Sequence, residues 1–183
     1  SLAFFQTAME NTAALIEELG LTAKAIYIPA SLREGKPQAI IPLLPDAIPQ
    51  LDRKLPGRLI VRYGPNPHDM AIAVSTLGSA GLESLETKLG TSAMEIEDAL
   101  SHILVGRLDL ATSVRVIVSD KRVEIEISGP KLRYDNIWFY QCLGSPLASI
   151  AATVTAEALD KPVIIKSEAQ QKDKSRIEIE VLG

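Results

Sequence analysis

The amino-acid sequence predicts an α+β fold in which short antiparallel hairpins pack with helices. Segments with apolar residues at helical spacing alternate with short β-branched segments, and the latter come in pairs joined by turn residues. The pattern of the C-terminal half predicts the order helix, strand, strand, helix, strand, strand. A chain of 183 residues can bury a core without disulfides. We therefore expect a single domain, 1–183, with two subregions at 1–90 and 91–183.

The N-terminal subregion begins with a predicted helix over residues 3–19, which Gly20 is placed to end. Apolar residues on one face of this helix indicate that it docks on a sheet. Four short strands are predicted to follow in two pairs, at residues 23–28, 38–43, 58–63 and 70–75. Eight of the eleven prolines fall between Pro29 and Pro67, and proline is tolerated only at strand ends and edges. These strands should therefore be short.

Two further helices are predicted before the C-terminal hairpins. The segment 78–81, Gly-Ser-Ala-Gly, is interpreted as a turn that opens a short helix over residues 82–89. A loop that presents amides to an anion is the alternative, but the Lys-Ser or Lys-Thr ending of phosphate-binding loops is missing. The second helix should start at Ser92, because Ser92 and Glu95 have the spacing of a capping box. It should run to about Gly106.

Two hairpins are predicted in the C-terminal subregion. The first joins residues 114–118 to residues 123–128, and its alternating pattern turns two glutamates of the second strand toward water. The second joins residues 163–167 to residues 176–181 through a polar connection. We therefore expect a sheet with one solvated face.

A predicted helix over residues 145–159 separates these hairpins. Ser145 at the N-cap and Pro146 at the first helical position are a strong start signal, and Pro162 limits the end. Glu157 is the only charged side chain of this helix, whereas a surface helix normally carries a charged face. The helix should therefore be covered on most sides, either as a central core helix or as an interface with a second subunit.

The composition argues against several kinds of partner. The net charge is −4 and no basic stripe is present, which argues against binding to nucleic acid or to an anionic membrane surface. No apolar run approaches the ~20 residues that a membrane-spanning helix needs. The single cysteine, Cys142, permits no intrachain disulfide and fits a reducing compartment. We therefore expect a cytoplasmic protein.

The sequence contains no motif for a metal or a catalytic centre. His68 and His102 are the only histidines, and neither has a partner at metal-ligand spacing. Cys142 lies just before the helix start at Ser145, where the helix dipole favours a thiolate. No histidine is near it in sequence to act as a base, and free cysteines are often simply buried. We therefore assign no catalytic residue, no metal ligand and no cofactor.

The segment 133–141 holds four of the chain's eight aromatic residues. Such a cluster suits a ligand wall, a dimer seam or core packing equally well. A ligand pocket is largely apolar and carries a few polar groups, which this segment and the following helix start supply. The candidate ligand-binding residues are Tyr134, Trp138, Tyr140, Cys142 and Ser145.

From Cys142 to Val181 the chain resembles a known family. A cysteine, a helix rich in small residues and two closing strands resemble the C-terminal half of the vinyl-reductase-type (4VR) domain, which is similar to haem-NO-binding and TRAPP-like domains. The resemblance implies a dimeric α+β domain that binds small hydrophobic ligands, and it adds Glu168 to the candidate residues as an acidic position. The cysteines expected after Glu168 are absent, so metal binding is not expected. The helix start also resembles that of uncharacterised prokaryotic proteins, which implies no function.

The sequence therefore predicts a non-catalytic binding or sensory domain that takes a small hydrophobic ligand and forms a homodimer. One alternative is a structural or assembly subunit that uses the helix at residues 145–159 as its interface. The other alternative is a thiol-dependent enzyme that uses Cys142 as a nucleophile or a redox group.

Overall fold

Eight strands form one antiparallel sheet at the centre of the fold. The computed structural model describes residues 2–45, 50–51, 53–85, 88–132 and 141–183. The strands are β1 (Ile26–Ile28), β2 (Gln38–Pro42), β3 (Ile60–Arg62), β4 (Met70–Ser75), β5 (Ser113–Ser119), β6 (Arg122–Ser128), β7 (Val163–Gln171) and β8 (Lys174–Val181). Their order across the sheet is β3-β4-β2-β1-β7-β8-β6-β5. Because β1 pairs with β7, one sheet contains strands from both halves of the chain.

Helices accompany this antiparallel sheet, which confirms the predicted α+β class. They are α1 (Leu2–Glu18), α2 (Leu77–Leu82), α3 (Ala93–Ser101) and α4 (Pro146–Leu159), together with a 3-10 turn, Ala30–Leu32, and a π-helical stretch, His102–Arg107. Among the described residues, no helix is both long enough and apolar enough to cross a membrane. The predicted order of the C-terminal half stays a prediction, because residues 133–140, between β6 and α4, lie outside the described residues.

The two faces of the sheet bury different sets of side chains, as the alternation along each strand requires. Apolar residues of one face join those of α3 and α4 in a large core. On the opposite face, Leu55 and Tyr63 pack over strands of the N-terminal half in a smaller core. On β6 and β8, the face of the sheet that points away from the helices is exposed to solvent. It carries ion pairs such as Lys174–Glu126 at 2.9 Å and Arg122–Glu178 at 2.9 Å. The expected solvated face is therefore present in the C-terminal strands.

The start signals of α3 and α4 predict their first residues correctly. The Ser92 side chain accepts a hydrogen bond from the Glu95 amide, and the Glu95 carboxylate accepts one from the Ser92 amide. At α4, the Ser145 hydroxyl accepts a hydrogen bond from the Ala148 amide at 3.2 Å. The run after Ser92 reaches Arg107, as expected, but its last six residues form a π-helix that the apolar periodicity did not predict.

The prediction for residues 78–89 was wrong. Gly78 and Gly81 lie inside α2, and the Thr76 hydroxyl caps this helix by accepting from the Ser79 amide at 3.2 Å. Among the described residues of the predicted helix 82–89, only Leu82 is helical. Gly78 is needed for close packing, since a Cβ atom added there would lie 2.4 Å from the Cβ of Thr153 in α4. Turn glycines and close-contact glycines look alike in a sequence.

Helix α4 is a core helix of this chain. Twelve of its residues are buried, and it contacts β1, β7 and β8 on one side and α2 and α3 on the other. The hydroxyls of Thr76 and Thr153 lie 2.8 Å apart and form a hydrogen bond between the start of α2 and the middle of α4. The chain's own sheet and helices therefore cover the uncharged surface of α4.

Helix α1 has the predicted position but not the predicted packing. Ala13 is its only buried side chain among those described, and Leu15 is 61% exposed. The helical side of the sheet is already covered by α2, α3 and α4. Among the α1 side chains that the structure describes, Ile16, near the C-terminal end, is the one that packs against the large core.

The last hairpin is longer than predicted. β7 and β8 pair as far as Gln171 with Lys174, and only Lys172 and Asp173 form the turn. The polar segment that was expected to be a connection belongs to the strands. Polar residues are compatible with a strand here because this part of the sheet has a solvated face.

Candidate functional site

A pocket opens where β1 and β7 diverge. β1 pairs with β7 only through Ile26 with Ile164 and Tyr27 with Val163. β7 continues to Gln171 along β8, whereas the residues before Ile26 turn away from it. The amide of Ala25 instead donates to the carbonyl of Cys142 at 2.8 Å. The divergence leaves a space between β7 and the loop that precedes α4.

A β-bulge in β7 borders this space. The register with β8 shifts between Ile165 and Ser167, so Lys166 is the extra residue. A bulge disrupts the regular ladder and leaves backbone groups without strand partners. The ammonium group of Lys24 supplies partners by donating to the carbonyls of Ile165 at 3.1 Å and Lys166 at 2.8 Å. Bulges often lie next to binding sites, and this one shapes the wall of the pocket.

Three hydrogen bonds attach the loop before α4 to β1 and the segment that leads into it. Besides the bond from Ala25, the thiol of Cys142 donates to the carbonyl of Leu21 at 3.2 Å. The buried hydroxyl of Tyr27 donates to the carbonyl of Leu143. Burial, with a smaller contribution from the charge of Glu168, raises the pKa of Tyr27 well above its usual range, so this hydroxyl stays a donor. The loop is therefore held in one position.

Gly144 completes the turn into α4. Its φ of +75° lies in the region that favours glycine. A Cβ atom at this position would also lie 2.6 Å from the Cδ1 atom of Ile165. The backbone conformation therefore favours glycine at this position, and the Ile165 side chain packs directly against it.

Glu168 joins β7 to the start of α4. Its Oε2 atom accepts a hydrogen bond from the amide of Ser145 at 3.0 Å. A carboxylate at this end of a helix also interacts favourably with the helix dipole. The amide of Ser145 and the amide of Ala148 are thus both satisfied, one by Glu168 and one by the Ser145 hydroxyl.

The resulting pocket has a volume of about 230 Å³, and its exposed lining is mainly apolar. This volume lies just below the range of about 300–1,000 Å³ that is typical of small-molecule sites. Two lysines, one glutamate and two glutamines supply charge and hydrogen-bonding groups around it. The lining residues are Lys24, Gln141, Cys142, Gly144, Ser145, Ile165, Lys166, Ser167, Glu168 and Gln170.

The pocket contains three of the six residues that the sequence nominated. Cys142, Ser145 and Glu168 all line it. The other three, Tyr134, Trp138 and Tyr140, lie outside the described residues. Sequence reasoning missed Lys24 and Gln170, and no local signal would have found Lys24, because its partners are 141 and 142 residues away. The bulge likewise has no recognisable sequence signature.

The environment of Cys142 suits a structural thiol. Burial raises its pKa, and its Sγ atom is a donor to a backbone carbonyl, so the thiol form is favoured over the thiolate. Neither His68 nor His102 lines the pocket. Within the described ranges, no group of three or more Cys, His, Asp or Glu side chains could hold a metal ion. The described residues therefore suit binding better than covalent chemistry.

Comparison with known protein families gives a match over nearly the whole chain. A family model with the description "Domain of unknown function (DUF7982)" matches residues 2–181. No curated protein and no solved structure matches the chain.

Proposed function

The chain belongs to the DUF7982 family of domains of unknown function, and we propose that it is a non-catalytic small-molecule binding or sensory domain. The observation that carries the proposal is the pocket of about 230 Å³ between β7 and the start of α4. Its apolar lining with a few polar groups at fixed positions is typical of ligand sites. Its size favours a ligand no larger than a single ring system or a short acyl chain.

The rigidity of the pocket wall supports binding. The loop from Gln141 to Gly144 is attached to β1 and the segment before it by three hydrogen bonds, and Lys24 holds the bulge. A pocket that is already formed loses little conformational entropy when a ligand enters. The side chains of Gln141 and Gln170 add hydrogen-bonding groups that would orient a ligand with a polar end.

Two alternatives have less support. A thiol-dependent enzyme would need an activated Cys142, yet burial raises the pKa of this thiol. An assembly role for α4 would need a free face on this helix, yet twelve of its residues are buried by the chain itself. The resemblance to vinyl-reductase-type and TRAPP-like domains, with its helix-strand-strand-helix-strand-strand order, stays a prediction that agrees with ligand binding. The cytoplasmic location also stays a prediction.

Three small probes of similar size and different charge test the proposal: indole, benzoate and benzylamine. Native mass spectrometry of the purified chain first shows whether a ligand is already bound. Isothermal titration of each probe then measures affinity and stoichiometry. We expect at least one probe to bind with a stoichiometry of one, and to raise the melting temperature as mass action requires.

A matched pair of variants locates the binding. Gln170 lines the pocket, whereas Gln171, the next residue of the same strand, does not and points to the opposite side. Gln170→Trp should fill the pocket and lower probe affinity about tenfold or more, while Gln171→Trp should bind as the wild type does. Absence of both a bound ligand and saturable binding, or equal affinities in the two variants, would contradict the proposal.

A further inference from the structure

Two side chains of opposite charge line the pocket between β7 and the start of α4. Lys24 lies in the segment before β1, Glu168 lies in β7, and both are exposed to solvent. Each is bonded to backbone groups and not to the other, since Lys24 donates to two carbonyls of the bulge and Glu168 accepts from the Ser145 amide. Among the described residues, neither charge therefore has an ion-pair partner.

Each of these groups can form one more bond, which would point to a ligand. An ammonium group has three donors, and Lys24 uses two of them, to the carbonyls of Ile165 at 3.1 Å and Lys166 at 2.8 Å. The Oε2 atom of Glu168 accepts from the Ser145 amide at 3.0 Å, and its Oε1 atom accepts from no described residue. Because the backbone holds both side chains in place, little side-chain entropy is lost when a ligand bonds to them.

The half-buried side chain of Ile165 provides apolar surface between the two charges. Its carbonyl accepts from Lys24, so the ammonium lies near the backbone end of this residue. A Cβ atom built on Gly144 would lie 2.6 Å from the Cδ1 atom of Ile165 and 3.8 Å from the Oε2 atom of Glu168. The carboxylate therefore lies near the tip of the Ile165 side chain, at the other end from the ammonium.

The second lysine of the lining directs its charge elsewhere. The ammonium of Lys166 lies 3.7 Å from the Oε1 atom of Glu178, which is on the solvated face of the sheet. Lys24 and Glu168 are thus the two charges that a ligand in the pocket meets. A simple anion would be attracted by Lys24 and repelled by Glu168, and a simple cation the reverse. A ligand with both charges satisfies both groups, which favours it over either.

We propose that the pocket binds a small zwitterion, an α-amino acid with an aliphatic side chain. Its carboxylate accepts from Lys24, its ammonium donates to the Oε1 atom of Glu168, and its side chain packs on Ile165. The inference rests on the proposed function, because it names the ligand class of the same pocket. The volume of about 230 Å³ suits a molecule of this size, and the mainly apolar lining removes its side chain from water.

Isothermal titration of three compounds with the same aliphatic group tests the need for both charges. L-leucine has an ammonium and a carboxylate, isocaproate lacks the ammonium, and isoamylamine lacks the carboxylate. We expect L-leucine to bind with a stoichiometry of one and about tenfold or more tightly than either analogue. The reason is that each analogue loses one charged hydrogen bond and leaves one charge of the pocket unmatched.

A matched pair of variants tests the role of Glu168. Glu168→Gln removes the charge but keeps an oxygen that accepts from the Ser145 amide. It should lower the affinity for L-leucine about tenfold or more, and it should not lower the affinity for isocaproate, which has no ammonium to bind. Glu124→Gln removes the same charge from an exposed residue that does not line the pocket, and it should bind L-leucine as the wild type does.

The outcomes separate this inference from the proposed function. If L-leucine binds no more tightly than one of its analogues, or if Glu168→Gln weakens isocaproate as much as L-leucine, the pocket binds ligands but does not select zwitterions, and the inference is overturned. If none of these compounds binds, and indole, benzoate and benzylamine also fail to bind, the proposed function is overturned with it.

Discussion

Because α2 and α4 are in close contact at Gly78, we predict that Gly78→Ala destabilises the fold. An added Cβ would lie 2.4 Å from Cβ, 2.7 Å from Oγ1 and 2.9 Å from Cγ2 of Thr153. These atoms belong to a buried helix and have no freedom to move aside. Helix α2 must therefore shift, and the hydrogen bond between Thr76 and Thr153 must lengthen.

The expected loss of stability follows from two opposing effects. Overpacking of a well-packed core costs about 1–3 kcal/mol, and a clash between two Cβ atoms belongs at the upper end. Replacement of glycine by alanine within a helix recovers about 1 kcal/mol. The free energy of unfolding should therefore fall by about 2 kcal/mol, which lowers the melting temperature by about 4–8 °C for a chain of this size.

Urea unfolding, monitored by circular dichroism, measures this loss of stability. Two other Gly→Ala variants serve as controls. A Cβ at Gly81 would lie 3.1 Å from the Cγ2 methyl of Ile103, a milder overlap than the one at Gly78, so Gly81→Ala should change stability by less than about 1 kcal/mol. A Cβ at Gly106 would meet nothing nearer than the Ser101 carbonyl at 3.9 Å, so Gly106→Ala should be neutral or slightly stabilising. If Gly78→Ala is as stable as Gly106→Ala, the close approach of α2 to α4 is wrong.

Three further predictions concern buried groups. Cys142 should react with iodoacetamide only slowly in the folded chain and rapidly after denaturation, because burial keeps its thiol protonated; rapid reaction of the folded chain would contradict this. Arg33 is 4% exposed, and among the described residues its Nε and Nη1 atoms have no hydrogen-bond partner, while Nη2 donates to the carbonyl of Arg58 at 2.8 Å. In denaturant titrations Arg33→Met should therefore raise the free energy of unfolding by about 1–2 kcal/mol, whereas Arg58→Met, at an exposed site, should change it by less than about 0.5 kcal/mol. Burial raises the pKa of Tyr27, so the unfolded chain loses this proton first as the pH rises. The stability contribution is present below the usual tyrosine pKa, and above it the free energy of unfolding should fall by up to about 1.4 kcal/mol per pH unit, a fall that Tyr27→Phe should remove.

Local signals in the sequence predict those elements whose cause is local. Ser145 with Pro146 and Ser92 with Glu95 fix helix starts through bonds within one turn, and the structure contains both. The role of Gly78 was misread because it depends on Thr153, which is distant in sequence. The length of β7 was underestimated for a similar reason, since a polar residue on a solvated strand looks like a loop residue until its neighbours are known.

The candidate site also combines features that local sequence signals predict with features that depend on residues distant in sequence. Cys142 and Ser145 could be nominated because they lie next to a recognisable helix start, and Glu168 because of a family resemblance. The pocket itself arises from the separation of β1 and β7, which depends on the order of strands in the sheet. Lys24 holds the bulge only because that order brings it beside β7. Side chains that act across a sheet in this way cannot be found from spacing along the chain.

The position of Glu168 gives a physical reason to favour a sensory role over passive storage of a ligand. Its carboxylate lines the pocket and also accepts from the Ser145 amide at the start of α4, the helix on which the core packs. A ligand that draws this carboxylate toward itself must weaken that bond and loosen the first turn of α4. Hydrogen exchange of the Ser145 amide should therefore quicken when a cationic probe such as benzylamine binds, whereas the amide of Ala148, which donates to the Ser145 hydroxyl, should change less. Bound probe with unchanged exchange at both amides would mean that the pocket holds a ligand without signalling to the core.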